Sequence, residues 1–244
     1  LKAFYKNPAY LYMADVPDFF LTINPVLLLQ LGKENNNNET LFINTRGAEI
    51  RGMIAKKIGF YTLITENQER DPLFVQNKIN QYEAVPGAGY YKNYNGTGVD
   101  YINASGYFTF NVTKYIHVQF GYGKNFIGDG YRSMFLSDYS SNYLYLKLKT
   151  HIWKLDYQNI FAELTSQYER SYGDYLRPKK YAAMHDLSMN VTRWLNVGAF
   201  ESIIFSRKDH FEFQYLNPVI FYRAIEQAVG SPDNANVGFH AKAN

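Results

Sequence analysis

Residues 100–123, DYINASGYFTFNVTKYIHVQFGYG, decide the fold class. From Ile102 to Val112 every second residue is apolar or glycine, and the residues between them are polar or tyrosine. After a short turn at Thr113 and Lys114, the same alternation continues to the end of the stretch. A period of two is the signature of a β-strand, and a short turn between two such runs joins antiparallel neighbours. The stretch therefore predicts a long antiparallel hairpin.

The same alternation recurs along the chain and predicts about ten strands. The predicted strands cover residues 19–31, 48–54, 58–64, 100–112, 115–123, 143–149, 153–158, 185–191, 197–205 and 237–241. Two short helices are also expected. The first covers 71–85, with Asp71 as N-cap and Pro72 at the first helical position, and the second covers 218–230, with Gly230 ending it. The sequence thus predicts an all-β fold with short helices in its connections.

Aromatic content and loop lengths refine this fold class. The chain has 23 tyrosines and 18 phenylalanines, and short turns alternate with long connections such as 32–40, 85–100 and 166–180. That asymmetry is typical of antiparallel transmembrane β-barrels of the outer membrane. A soluble β-sandwich also alternates, but the tyrosine-rich face and the long strands favour the barrel. We therefore expect residues 1–244 to form a single barrel domain in the bacterial outer membrane.

In such a barrel the apolar strand face meets lipid and the polar face lines the lumen. The predicted lumen residues are Glu49, Arg51, His117, Gln119, Lys147, Lys149, Lys154 and Asp156. The two short helices are expected to lie over the mouth, to lie inside the lumen, or to serve as ordinary connections.

Several function classes lack their sequence signatures. The chain has no cysteine, so a disulfide framework and a thiolate metal site are not expected. Its net charge is only +3 and its basic residues are scattered, so a nucleic-acid partner is not expected either. The histidines show no metal-site spacing, and no G-x-S-x-G motif is present. The carboxylates Glu66, Glu69 and Asp71 cluster, but Arg70 and the predicted helix start explain them more simply than a glycosidase pair. We predict a non-enzyme with no catalytic residue, metal or cofactor.

A glycine-rich stretch follows the hairpin: residues 121–138, GYGKNFIGDGYRSMFLSD. A phosphate-binding loop needs lysine and then serine or threonine after its last glycine. Here Asp129 follows Gly128, and Lys124 comes too early. The spacing therefore does not favour a nucleotide site.

The stretch instead resembles the signature of the Wzi-type capsule assembly family of outer-membrane proteins. The matching residues are Gly121, Asn125, Phe126, Gly128, Gly130, Tyr131, Ser133, Leu136 and Ser137. The segment 211–244 is also similar to the family as it occurs in Bacteroidetes. The resemblance implies a barrel of about 18 strands in chains about twice this length. The sequence is therefore expected to be incomplete at its C-terminal end, with the N-terminal end a second candidate.

The resemblance also implies a function. The best-known members are lectin-like and hold capsular polysaccharide at the cell surface, so the expected partners are surface polysaccharide and outer-membrane lipid. The candidate glycan-binding residues are Asn125, Tyr131, Arg132, Asp138, Tyr90, Tyr91 and Tyr94. The candidate structural residues of the motif are Gly121, Gly123, Gly128, Gly130, Ser133 and Ser137.

Two alternatives stay open. In an architectural interpretation of the motif, Gly128 and Gly130 serve tight backbone geometry, and Arg132 simply pairs with Asp138. The alternative function is a structural or accessory subunit of an envelope complex for gliding motility or protein secretion, with other outer-membrane proteins as partners. A pore-forming transporter is a third class.

Overall fold

The computed structural model describes residues 10–35, 37–166, 177–207, 211–219, 221–230 and 233–243. His210 and most of the predicted connection 166–180 lie outside these ranges. The described part of the chain contains twelve strands and two α-helices. The strands are β1 (Tyr12–Val16), β2 (Phe19–Gly32), β3 (Leu41–Ile54), β4 (Ile58–Arg70), β5 (Lys92–Tyr94), β6 (Gly98–Asn111), β7 (Ile116–Gly123), β8 (Tyr143–Ile152), β9 (Leu155–Thr165), β10 (Lys179–Asn190), β11 (Leu195–Phe205) and β12 (Asn234–Ala243). The all-β, antiparallel prediction is confirmed.

The predicted strand set needs three corrections. β1 and the three-residue β5 were not predicted, and both are short strands held by pairing to a longer neighbour. Several strand bounds also differ: β3, β10 and β12 begin earlier than expected, at Leu41, Lys179 and Asn234, and β4 and β9 end later, at Arg70 and Thr165. Trp153 is not a strand residue: its φ of 57° places it in the turn before β9.

Short and long connections alternate along the chain, as predicted. The turn between β6 and β7 is closed by Val112 N, which donates to Ile116 O at 3.0 Å. The Thr113 hydroxyl accepts from the backbone N–H groups of Tyr115 and Ile116, both at 3.1 Å. Thr192 does the same for the turn before β11. A threonine hydroxyl thus satisfies the free donors of each turn.

The chain forms two compact units. The first holds the described residues up to Phe108 together with Ser140–Asn142. Its strands run in the order β1-β2-β3-β4-β6, with β5 paired to β6. One face carries a polar network in which Thr45 Oγ1 donates to Asn67 Oδ1 at 2.9 Å and Asn67 Nδ2 donates to Thr65 Oγ1 at 3.1 Å.

The second unit holds Thr109–Tyr139, Tyr143–Ser166 and the described residues from Arg177 onwards. Its strands run in the sequential order β7-β8-β9-β10-β11-β12. Each face of this part of the sheet is partly covered. On one face, Ile127, Phe135 and Leu136 of the glycine-rich stretch pack on the strands. On the other, the connection between β11 and β12 packs through Tyr215, Tyr222 and neighbouring residues.

The helices are shorter than predicted. Helix α1 is Leu73–Tyr82, and its N-cap is Pro72, which makes no side-chain capping bond. The prediction of Asp71 as N-cap is therefore wrong, because Pro72 itself keeps an extended backbone (φ −55°, ψ 153°) and the helix begins one residue later than expected. Helix α2 is Tyr222–Val229, and Gly230 ends it in the left-handed region at φ 70°, as predicted.

Among the described residues, no helix is both long enough and apolar enough to cross a bilayer.

Candidate functional site

The first unit contains a small polar cleft beside α1. Its volume is about 200 Å³, below the roughly 300–1,000 Å³ of pockets for drug-sized ligands. The lining residues are Gln76, Ile79, Asn80, Tyr91, Asn93, Gly96, Thr97, Gly98 and Val99. Gln76 and Asn80 lie four positions apart on α1, so they share one helix face.

The cleft offers mixed hydrogen-bonding chemistry. Each side-chain amide has donors and an acceptor, and a threonine hydroxyl has both. These groups match ligands that carry several hydroxyls on a compact ring. Tyr91 is buried among Ile79, Val85 and Val99, so it supplies a fixed aromatic wall.

Arg70 holds the loop that forms one wall of the cleft. Its guanidinium donates to Asn95 O at 2.6 Å and to Thr40 O at 3.1 Å. The guanidinium carbon also lies 5.4 Å from the ring centroid of Phe42. Nearby, Thr97 Oγ1 donates to Glu39 Oε2 at 2.5 Å. The loop is thus fixed before any ligand binds.

The carboxylates next to α1 have structural partners. Glu66 is half-buried and pairs with Arg46 at 3.0 Å. Burial raises the pKa of Asp71 above its ordinary range, and a hydrogen bond with Glu69 acts in the opposite direction. In the described chain, no group of three or more His, Asp or Glu side chains has a geometry that could hold a metal ion.

The three tyrosines predicted to bind glycan have different environments. Tyr91 lines the cleft and is buried, so it contributes a wall rather than an open stacking platform. Tyr94 makes an edge-to-face contact with Phe42 at 6.2 Å. Tyr90 is exposed. Of the three, only Tyr91 belongs to the cleft.

In the second unit, the glycine-rich stretch folds back on itself. Ile127 and Leu136 form a two-residue antiparallel bridge with N···O distances of 3.0 and 3.4 Å. The Ser133 hydroxyl donates to Ile127 O and accepts from Phe135 N. Ser137 Oγ accepts from Tyr139 N at 3.1 Å. Both serine hydroxyls thus bond to the backbone of the stretch.

The four glycines of the stretch differ. Gly128 has φ 127°, and a Cβ there would collide with the Ser133 hydroxyl, so only glycine fits. Gly130 has no such restriction, since its nearest neighbouring atom would lie 3.7 Å from a Cβ. Its predicted role in tight geometry is not supported. Gly121 and Gly123 are buried in β7.

The polar residues of the stretch do not form one cluster. The Arg132 guanidinium lies 4.2 Å from the ring centroid of Tyr139 and 5.6 Å from that of Tyr131. Arg132 therefore stacks on tyrosines, and the interpretation that it pairs with Asp138 is wrong. Asp138 instead influences Lys124: burial lowers the pKa of Lys124, and the Asp138 carboxylate opposes that effect.

Asn125 is buried, with 4% of its surface exposed. Its backbone N–H donates to the Tyr143 hydroxyl at 3.2 Å. Its side-chain oxygen accepts from Lys147 Nζ at 3.0 Å. Lys147 lies on the same strand face as Tyr143 and Tyr145, since strand side chains alternate.

The opposite face of the second unit carries a buried polar cluster. The Glu201 carboxylate accepts from the backbone N–H groups of Tyr222 and Arg223, both at 3.1 Å. It also lies 2.9 Å from His185 Nε2, and the His185 ring stacks on Tyr222 at 4.4 Å. Glu201 thus supplies the N-terminal cap that α2 lacks in its own sequence.

This cluster borders an apolar cleft of about 520 Å³. Its lining includes Ile152, Leu187, Val237 and Phe239, which continue the exposed apolar face of the strands. The polar groups at its edge already bond within the protein. The cluster therefore docks α2 on the sheet.

No protein-family model matches the chain, and the comparisons with curated proteins and with solved structures gave no match either.

Proposed function

We propose that this chain belongs to a non-enzymatic outer-membrane protein that binds or anchors surface polysaccharide, as in capsule assembly. The observation that carries the proposal is the amide-lined cleft beside α1, with Gln76, Asn80 and Asn93 around one buried tyrosine. Sugar hydroxyls both donate and accept hydrogen bonds, and a side-chain amide can pair with either, since it has donors and an acceptor. The cleft suits one sugar ring of a longer polymer.

Strand polarity supports a membrane location. In the first unit, Thr65 and Asn67 are buried, whereas Leu27, Leu29 and Leu31 on β2 are exposed. A soluble sheet buries its leucines and exposes its polar residues. Apolar residues that face outward along a strand are the arrangement of a transmembrane barrel, where lipid covers them.

The short turns of the second unit support the same location. Tyr115, Trp153 and Trp194 are all exposed at or beside these turns. Lys114 Nζ lies 4.8 Å from the ring centroid of Tyr115, and Lys154 Nζ lies 5.4 Å from that of Trp153. Aromatic residues with basic neighbours are enriched where a membrane protein meets the lipid headgroups. We infer that this edge lies at a membrane surface.

A second function has a specific observation in its favour. Tyr131 is 92% exposed and Met134 is 99% exposed in the glycine-rich stretch. Exposed aromatic and methionine side chains are enriched in protein interfaces. A structural or accessory subunit of an envelope complex for gliding motility or secretion would cover them with another outer-membrane protein.

The test is binding of surface polysaccharide, extracted from the source cells, to the full-length protein in detergent. Saturable binding supports the polysaccharide function. If Tyr131→Ala leaves that binding intact, the exposed Tyr131 side chain is not part of the glycan site. Absence of binding by a folded protein, together with stable co-purification of other outer-membrane proteins that Tyr131→Ala abolishes, would favour the accessory-subunit function.

A further inference from the structure

The Lys147 ammonium group lies against an amide oxygen rather than a carboxylate. Its side chain is half-buried on β8, and its ammonium group donates to the neutral amide oxygen of Asn125 at 3.0 Å. No carboxylate among the described residues forms an ion pair with it. The neighbouring charge on its own strand face is Lys149, two residues along, which has the same sign.

The carboxylates on the same face of the sheet, which belong to β9 and β10, have other partners. Asp156 lies 2.6 Å from His151, and Asp186 lies 3.0 Å from His240. These pairs leave Lys147 out. Because an ammonium group out of water is unfavourable unless it is paired, the position of Lys147 needs an explanation.

Asn125 presents a second unsatisfied group. Its backbone N–H is bonded to the Tyr143 hydroxyl and its side-chain oxygen to Lys147. The Lys147 bond also fixes the amide orientation, since an ammonium can only donate. The side-chain nitrogen of Asn125 is then buried with no acceptor in the described structure. A buried donor without an acceptor is destabilising.

Both unsatisfied groups are donors, and one of them is positively charged. We propose that Lys147 and Asn125 form an anion subsite that takes the carboxylate of an acidic sugar residue. A carboxylate accepts from two donors at once and carries the single negative charge that one buried ammonium balances. A phosphate monoester carries roughly −1.5 to −2 and fits a single ammonium less well. The sugar identity rests on the proposed function, whereas the anion subsite does not.

The test uses isothermal titration calorimetry of the full chain in detergent, with sodium glucuronate, glucose and inorganic phosphate as probes. The variant is Lys147→Met, which keeps the length of the side chain and removes the charge. The matched control is Lys242→Met, because Lys242 is a strand lysine that already pairs with Asp129 at 3.0 Å. We expect glucuronate to bind the natural protein and to lose at least about tenfold in affinity in Lys147→Met. The control should stay within about twofold.

Thermal unfolding separates a ligand subsite from a structural one. The melting temperature of the free Lys147→Met protein serves as its own baseline, because the variant removes an uncompensated cation and also the donor to the buried Asn125 oxygen, two changes of opposite sign. Glucuronate should raise the melting temperature of the natural protein and leave that of the variant unchanged. Asn125→Leu, which removes the second donor, should likewise weaken glucuronate binding.

The proposal is overturned if glucuronate does not bind, if it binds Lys147→Met and the natural protein equally, or if phosphate binds through Lys147 and glucuronate does not. Its failure is distinguishable from failure of the proposed function. Polysaccharide binding that is indifferent to Lys147→Met would retain the function and remove the subsite. Glucuronate binding through Lys147 without polysaccharide binding would retain the subsite and remove the proposed function.

Discussion

Arg70 provides the sharpest test of how the amide-lined cleft is built. Its side chain is largely buried and holds the loop 92–97 through Asn95 O, at 2.6 Å. A second bond to Thr40 O and the contact with the Phe42 ring fix the guanidinium itself. We predict that Arg70→Met destabilises the fold and weakens polysaccharide binding together, because the loop carries Asn93 and Thr97.

The magnitude follows from those contacts. Hydrogen bonds that involve a charged group contribute about 1.5–3 kcal/mol each, and a partly buried cation–π contact contributes about 0.5–2 kcal/mol. Two bonds and one ring contact therefore give an upper range of about 3.5–8 kcal/mol. Methionine recovers part of the packing, whereas the loss of the ion pair between Arg70 Nε and Glu39 at 3.7 Å adds little, so we expect a net loss of about 2–4 kcal/mol.

The assay is urea unfolding in detergent, followed by circular dichroism, with calorimetric titration of polysaccharide at the same detergent concentration. Arg70→Lys keeps the charge but loses the planar fork, so it should lie between the natural protein and Arg70→Met in both readouts. If Arg70→Met unfolds within about 0.5 kcal/mol of the natural protein and binds polysaccharide equally well, Arg70 does not hold the cleft.

Three further predictions concern other parts of the chain. Glu201→Ala should lower the free energy of unfolding by about 2–4 kcal/mol, because it removes the cap of α2 and leaves buried donors unpaired; an unchanged urea midpoint would refute the capping role. Gly128→Ala should cost about 1–3 kcal/mol at its positive φ, whereas Gly130→Ala, its matched control, should stay within about 0.5 kcal/mol; equal unfolding midpoints for the two variants would contradict this. The raised pKa of Asp71 means that the folded state binds its proton more tightly than the unfolded chain, so its ionisation removes stability as pH rises above about 3.9, the unfolded value. Asp71→Asn should flatten that decline in pH-dependent urea titrations, and a steeper decline would show that the sign is wrong.

The strands were the predictable part of this fold. Period-two alternation is a local signal, and it found the hairpin at 100–123 and most of the later strands. It missed β1 and β5, since a strand of three to five residues is held by its partner and shows little periodicity of its own. The recurrence of Asn-Val-Thr at 111–113 and 190–192 is a signal for two turns that a search for short repeats would have found.

The candidate sites were less predictable because their residues meet through pairing between distant segments. Asn125 was predicted from a motif, but Lys147, which completes its surroundings, lies 22 positions away. Gln76 and Asn80 share a face of α1, and that spacing was readable in the sequence. Asn93 lies across the cleft from them because Arg70 anchors its loop, and no local sequence pattern predicts that arrangement.

The central claim is that the cleft beside α1 binds surface polysaccharide. The most direct measurement compares Asn80→Ala with Asn77→Ala, by calorimetric titration of the full-length protein with polysaccharide from its source cells. Both asparagines are exposed on α1, and of the two only Asn80 lines the cleft. The account predicts that Asn80→Ala weakens binding by about tenfold, the effect of roughly one lost hydrogen bond, while Asn77→Ala binds like the natural protein. Equal affinities for the two variants, or no saturable binding by the natural protein, would contradict it.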